Sequence, residues 1–153
     1  MLFRLYKQLF ESEYGPGYGE GMLEKLKEEI KKLNEGFGDE CIAFKQISSE
    51  EFAVAVCTPC MKRTHKLWQS SGEMVFVDSS GTMDRLGLRV FILLTHSPLG
   101  GLALGVFYVT SETEEVIEAA VQLYLTLLPP GAFGGRGLLG PLLFLTDDCA
   151  ALG

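Results

Sequence analysis

The sequence predicts an α/β fold on a mixed sheet, with a three-strand antiparallel meander, a helix, and a fourth strand lying parallel beside the first. Three observations carry that expectation. Residues 74–109 hold three apolar runs separated by short segments rich in chain breakers. A 3.6-residue apolar period follows, with Val116, Ala120, Leu123 and Leu127 on one face. A last apolar run, residues 142–145, comes after a loop rich in Gly and Pro. At 153 residues the chain can bury a single real core. Its 47% hydrophobic content and mean hydropathy of +0.20 exclude a disordered tail.

The elements follow in order. YGPGYGEG, closing the first twenty residues, signals a loop. MLEKLKEEIKKLN, residues 22–34, reads as a helix with Met22, Leu26, Ile30 and Leu33 on one stripe, stopped by Gly36. Its charge run reads as a solvated face laced with i,i+4 pairs. FAVAV, residues 52–56, is a short buried strand, CTPCMKRTHKLWQ a turn entering a helix, and SSGE its break. MVFV, residues 74–77, is a strand ending at Asp78, and SSGTMDRLG a turn. LRVFILLT (88–95) and LALGVFYV (102–109) complete the meander, joined by HSPLGG. SETE, residues 111–114, is a capping box in which Ser111 caps a helix reaching Leu128. PPGAFGGRGLLGP reads as linker, and residues 142–145 form the last strand, which reaches Thr146 and Asp147. Residues 1–72 are thus a helical lead-in with a short strand, and residues 73–153 a second region with its own strand order.

That order, three strands, a helix and a strand, is the order of the ribonuclease-H-like fold. A meander leaves the first strand with an open edge, and a helical crossover lets the fourth lie parallel against it. Neighbouring strands are ~4.8 Å apart, so acids at their carboxyl ends can face each other. Two such acids can hold metals ~3.5–4 Å apart for phosphodiester chemistry. Asp78 and Asp147 are the candidate pair, and hard magnesium or manganese prefers their oxygens. Asp84 and Asp148 read as turn and surface residues, although Asp148 could exchange roles with Asp147.

Asp78-Ser79-Ser80, the stretch from Gly101 to Thr113, and Thr146-Asp147 together resemble the MULE-type (Mutator-like) transposase domain found in transposon-derived eukaryotic proteins. In that family a first Asp in a D-[AS]-[ST] context ends the first strand. A G-x-[AP]-[LV]-[GA]-x3-V-x-[ST]-E-[TS] stretch runs into the helix, and T-D ends the fourth strand. The resemblance covers residues 73–149, about half of the chain. It implies DNA strand cleavage and transfer by a DDE catalyst, with Asp78 and Asp147 as catalytic and metal-holding residues. Magnesium or manganese as cofactor, DNA as partner and a nuclear location are implied with it. The family's third acid is a Glu on a later helix, whereas here no Glu follows residue 118 and Gly153 lies six residues past Asp147. The family's zinc-knuckle elements are absent as well. The expectation is a fragment or remnant cut off before its catalytic site is complete, and inactive as this chain alone.

Charge and composition bound the remaining readings. A net charge of −7 and a pI of about 4.8, with no basic stripe, argue against this chain alone holding DNA. The N-terminus lacks the pattern of a signal peptide, and His96, Ser97, Pro98 and two glycines interrupt the most apolar region. The expected chain is soluble and intracellular, with no membrane partner. Cys57-Thr-Pro-Cys60, between a strand and a helix, copies the local logic of a thioredoxin-like dithiol oxidoreductase. That is the runner-up, beside a domesticated non-catalytic interaction module. Two structural cysteines are the plainer reading, and zinc on Cys57, Cys60 and His65 would need a fourth ligand. His65 and His96 are expected at the surface or in loops, and Trp68 in the core.

Overall fold

The structure, a computed structural model, describes residues 20–80 and 87–146. Met1–Asp39 and Glu40–Gly153 form two compact units. In the first, α1 spans Glu20–Phe37. Its stop is Gly38, not Gly36: Gly38 adopts φ +68°, which glycine enters without a Cβ penalty, and its N–H donates to the Glu35 carbonyl at 3.2 Å. Among the described residues, surface ion pairs on α1 include Glu24–Lys27 at 2.9 Å and Glu29–Lys32 at 2.7 Å, both spaced i,i+3.

The second unit is built on a six-stranded mixed sheet. Its elements are β1 (Ile42–Gln46), β2 (Phe52–Val56), α2 (Pro59–Leu67), the one-turn α3 (Ser70–Glu73), β3 (Met74–Ser80), β4 (Arg89–Ser97), β5 (Gly100–Val109), α4 (Glu114–Leu127), a 3-10 turn (Gly137–Leu139) and β6 (Leu143–Thr146). The strand order is β1-β2-β5-β4-β3-β6. Every neighbouring pair is antiparallel except β3 and β6, which are parallel. The expected meander and the parallel fourth strand are therefore present. The pairing also carries the sheet back to residue 42, because β1 and β2 form a hairpin that extends it beyond β5.

Several local expectations are corrected. Residues 70–73 form a helical turn rather than a break, and Ser70 Oγ anchors it by donating to the His96 carbonyl at 2.8 Å. Asp78, Ser79 and Ser80 belong to β3 and pair with Ile92, Phe91 and Val90, so the strand continues through Ser79 and Ser80, where a turn was expected. The N-cap of α4 is Thr113, not Ser111. Ser111 instead donates to the Glu51 carboxylate at 3.0 Å, fastening the end of β5 to the β1–β2 turn. The side-chain cap operates at Thr58, whose hydroxyl accepts from Met61 N–H at 3.3 Å to start α2.

One sheet face carries the core. Ala43, Ala53 and Ala55 occupy it on β1 and β2, Phe107 and Val109 on β5, Phe91 and Leu93 on β4, and Val75 on β3, all buried. The three alanines leave room for a helix to come close, and α4 packs over β2, β1 and β5 with Val116, Ala120, Tyr124 and Leu127 inward. The chain must then cross to β6 at the far edge of the sheet. Residues 128–142 make that crossing as a held segment, not as loose linker. Gly134 N–H donates to the His65 carbonyl at 2.9 Å, and Leu142 N–H to the Gly72 carbonyl at 3.0 Å.

Gly72 is a contact point of that crossing. A Cβ there would sit 2.3 Å from the Phe133 carbonyl oxygen, a backbone atom with no rotamer to yield. Gly72→Ala is expected to destabilise the protein by about 1–3 kcal/mol, the usual cost of overpacking. The measurement is the denaturant midpoint, and an unchanged midpoint would contradict the close approach.

Candidate functional site

The two sequence-predicted acids depend on β3 and β6. Met74 faces Leu143, Val75 faces Phe144, Phe76 faces Leu145 and Val77 faces Thr146. The next residue of β3 is Asp78, and the next in sequence after Thr146 is Asp147. Asp147 lies outside the described residues, as do Asp84 and Asp148. Side chains alternate along a strand, so Asp78 shares a face with Met74 and Phe76 and stands opposite the face that buries Val75. Asp78 is exposed, and among the described residues its side chain makes no hydrogen bond or ion pair. Its carboxylate oxygens are the donor chemistry that a hard cation takes. Among the described residues no group of three or more His, Cys, Asp or Glu is placed to hold a metal ion.

The opposite face carries an apolar cleft of about 390 Å³ between α4 and the sheet. Val77, Leu93, Phe107, Tyr124, Phe133 and Phe144 contribute to its walls. Asp78 is on the other side of the sheet, so cleft and acid are separate features.

The cysteine motif is divided between environments. Cys57 is fully buried and its thiol donates to the Leu104 carbonyl at 3.6 Å, whereas Cys60 is exposed on the first turn of α2. His65 brings no nitrogen to a zinc site, because both ring nitrogens are engaged within the protein.

His65 is where the structure overturns the sequence reading most clearly. It is fully buried, whereas Trp68, expected inside, is 38% exposed. The cause is a β-bulge. Leu93 faces Gly105 and Leu94 faces Ala103, so Leu104 has no partner on β4. Its carbonyl is met by Tyr124, whose hydroxyl donates to it at 2.9 Å. Phe133 N–H donates to His65 Nδ1 at 3.3 Å. A backbone N–H can only donate, so Nδ1 accepts and the ring proton sits on Nε2. Nε2–H then donates to the Tyr124 oxygen at 2.7 Å, with the Leu104 carbonyl also near, at 3.2 Å. The Phe133 ring closes edge-on over the imidazole, with centroids 4.6 Å apart. Gly105 makes room, because a Cβ there would lie 2.3 Å from the Tyr124 ring. Glycine inside the run LALGVFYV was the available signal, since an interior strand glycine marks a bulge or a close approach.

Burial lowers the His65 pKa to about 4, although the hydrogen bond with the Leu104 carbonyl opposes the shift. Burial raises the Tyr124 pKa well above its ordinary value, with Cys57 adding to the rise. Both groups are therefore neutral at pH 7, and the cluster is a structural lock.

No family model, no curated protein and no solved structure matches the chain. No helix among the described residues is long and apolar enough to cross a membrane.

The His65 shift has a definite sign. The unfolded chain takes up a proton near pH 6.5, whereas the folded chain resists until about 4. The contribution is complete above 6.5 and is lost as pH falls through that window. Between pH 7 and pH 5 it should fall by about 2 kcal/mol. His65→Gln is expected to be less stable at pH 7 but to lose less stability over that interval. Equal pH slopes for the two proteins in urea titrations would rule out His65 as the group responsible.

Proposed function

We propose that residues 73–153 carry the first half of a ribonuclease-H-like core of the transposase type, derived from a metal-dependent DNA strand transferase. The observation that supports this most is the parallel pairing of β3 with β6 with Val77 opposite Thr146. Each candidate acid follows one of these two residues directly in sequence. The strand order β5-β4-β3-β6 supports it further, being a meander whose first strand receives a parallel partner. In this reading the pairing runs one residue further, and Asp78 and Asp147 hold magnesium or manganese on the face away from α4. When bound, the cation would polarise a phosphodiester and activate water or a DNA hydroxyl. The chain's own part is to hold two carboxylates on adjacent strands, which keeps their separation set by the sheet. DNA as partner and a nuclear location belong to the same proposal.

The 153 residues hold two of the three acids implied by the resemblance, and they are net acidic. Phosphoryl transfer depends on placement of metal and nucleophile, so a partial ligand set is costly. A non-catalytic interaction module is the second reading. Leu138 and Leu139, which are 78% and 82% exposed beside the apolar cleft, favour it.

The test is manganese titration with amide NMR. Paramagnetic broadening is expected to centre on Phe76–Ser80 at an affinity on the order of millimolar and to vanish in Asp78→Ala. Broadening that survives Asp78→Ala would remove the site. In parallel, the chain is expected not to cut a nicked DNA duplex with magnesium or manganese. Cleavage that Asp78→Ala abolishes would show that another group completes the centre.

A further inference from the structure

We propose that Cys41 and Cys57 form a reversible cross-strand disulfide, a redox-sensitive clasp at the open end of the β1–β2 hairpin. The register pairs Ile42 with Val56 and runs to Gln46 with Phe52. One step outward the same register sets Cys41 opposite Cys57, and Cys57 N–H donates to the Cys41 carbonyl at 2.7 Å. Directly opposite residues on antiparallel strands direct their side chains to the same face. Here it is the core face: Cys41 and Cys57 are both fully buried, in line with Ala43 and Ala55.

The spacing suits a bond that can open again. Hydrogen-bonded antiparallel pairs have Cα atoms about 5.5 Å apart, inside the ~4.4–6.8 Å range of disulfides. Their Cβ atoms, at about 5 Å, must close by roughly 1 Å to reach disulfide geometry. A bond formed under that demand is more easily reduced than a relaxed structural one.

Cys60 supplies the route in. It is exposed, three residues from Cys57 across the start of α2, where a small thiol reagent can reach it. The oxidant is a low-molecular-weight disulfide such as glutathione disulfide. The Cys60 thiolate attacks it, forming a mixed disulfide and releasing one glutathione thiolate. The Cys57 thiolate attacks the Cys60 sulfur and releases the second. The Cys41 thiolate then attacks the Cys57 sulfur and returns Cys60 to its thiol. Overall, two protein thiols lose two protons and two electrons, and one glutathione disulfide becomes two glutathione thiols. Oxidation also withdraws the Cys57 S–H from the Leu104 carbonyl, which keeps its bond from Tyr124.

The experiment equilibrates the whole chain in glutathione buffers from fully reducing to strongly oxidising, quenches with acid, and maps linked peptides by mass spectrometry. Loss of two hydrogens is expected, with Cys41 joined to Cys57 in the majority of molecules under oxidising buffer and full recovery under reducing buffer. Cys60→Ser should reach the same linkage at equilibrium, at least several-fold more slowly. Linkage through Cys60 or Cys149 at equilibrium, a glutathione adduct on Cys60 with no internal bond, or no loss of hydrogens would each overturn the proposal. Loss of the linkage in Cys60→Ser at equilibrium would do so too.

Discussion

One extra residue in β5 frees the carbonyl of Leu104 from the sheet, and much of the second unit is arranged around satisfying it. A buried carbonyl without a donor costs about 1–3 kcal/mol, so a donor must come from outside the strands. Tyr124 brings it from α4, which fixes the rotation of that helix over the sheet. His65 in turn donates to the Tyr124 oxygen, fixing α2, and its other ring nitrogen accepts from Phe133. The crossing segment is thereby tied to a buried histidine at the point where it turns toward β6. The parallel pairing of β6 with β3 thus rests, several contacts removed, on a bulge in another strand.

The helix placement divides the sheet into unequal halves. Alanines on β1 and β2 draw α4 toward that side, so the crossing segment helps to cover the β3–β4–β6 half. The apolar cleft lies under that roof, and Phe144 of β6 reaches into it. Asp78 is on the reverse face, where α4 does not interfere. The cleft, apolar and partly enclosed, belongs to different chemistry.

The buried His65–Tyr124 cluster shows how polar groups can belong to a core without being reactive. His65 and Tyr124 are neutral because burial opposes the charged form of each. Their hydrogen bonds run in one direction, from imidazole to phenol to carbonyl, and among the described residues no buried side-chain polar atom lacks a partner. Such a network specifies one arrangement, because rotating any member strands another.

Local chemistry made part of this architecture legible. Period-two and continuous apolar runs marked β2 to β5 and the strand at residue 143, and the 3.6-residue period marked α4. The alternation of meander, helix and strand predicted that β3 and β6 would be parallel neighbours, and they are. Other features depend on partners distant in sequence, and no local pattern contains those. IAFKQ became a strand because β2 offered it an edge. Ser111 left the helix cap for Glu51, 60 residues away. VDSS continued as strand because β4 supplied Ile92, Phe91 and Val90 as partners, overriding a turn-like composition. His65 is inside because its position must both donate toward the Tyr124 oxygen and accept from Phe133 N–H, which an imidazole can do and an indole, with one donor and no acceptor, cannot. By itself the sequence determined most of the strands and helices and which acids follow Val77 and Thr146. Only the tertiary structure decided which polar groups are buried, because a hydrogen-bond debt in one strand is settled by whichever residue the fold brings beside it.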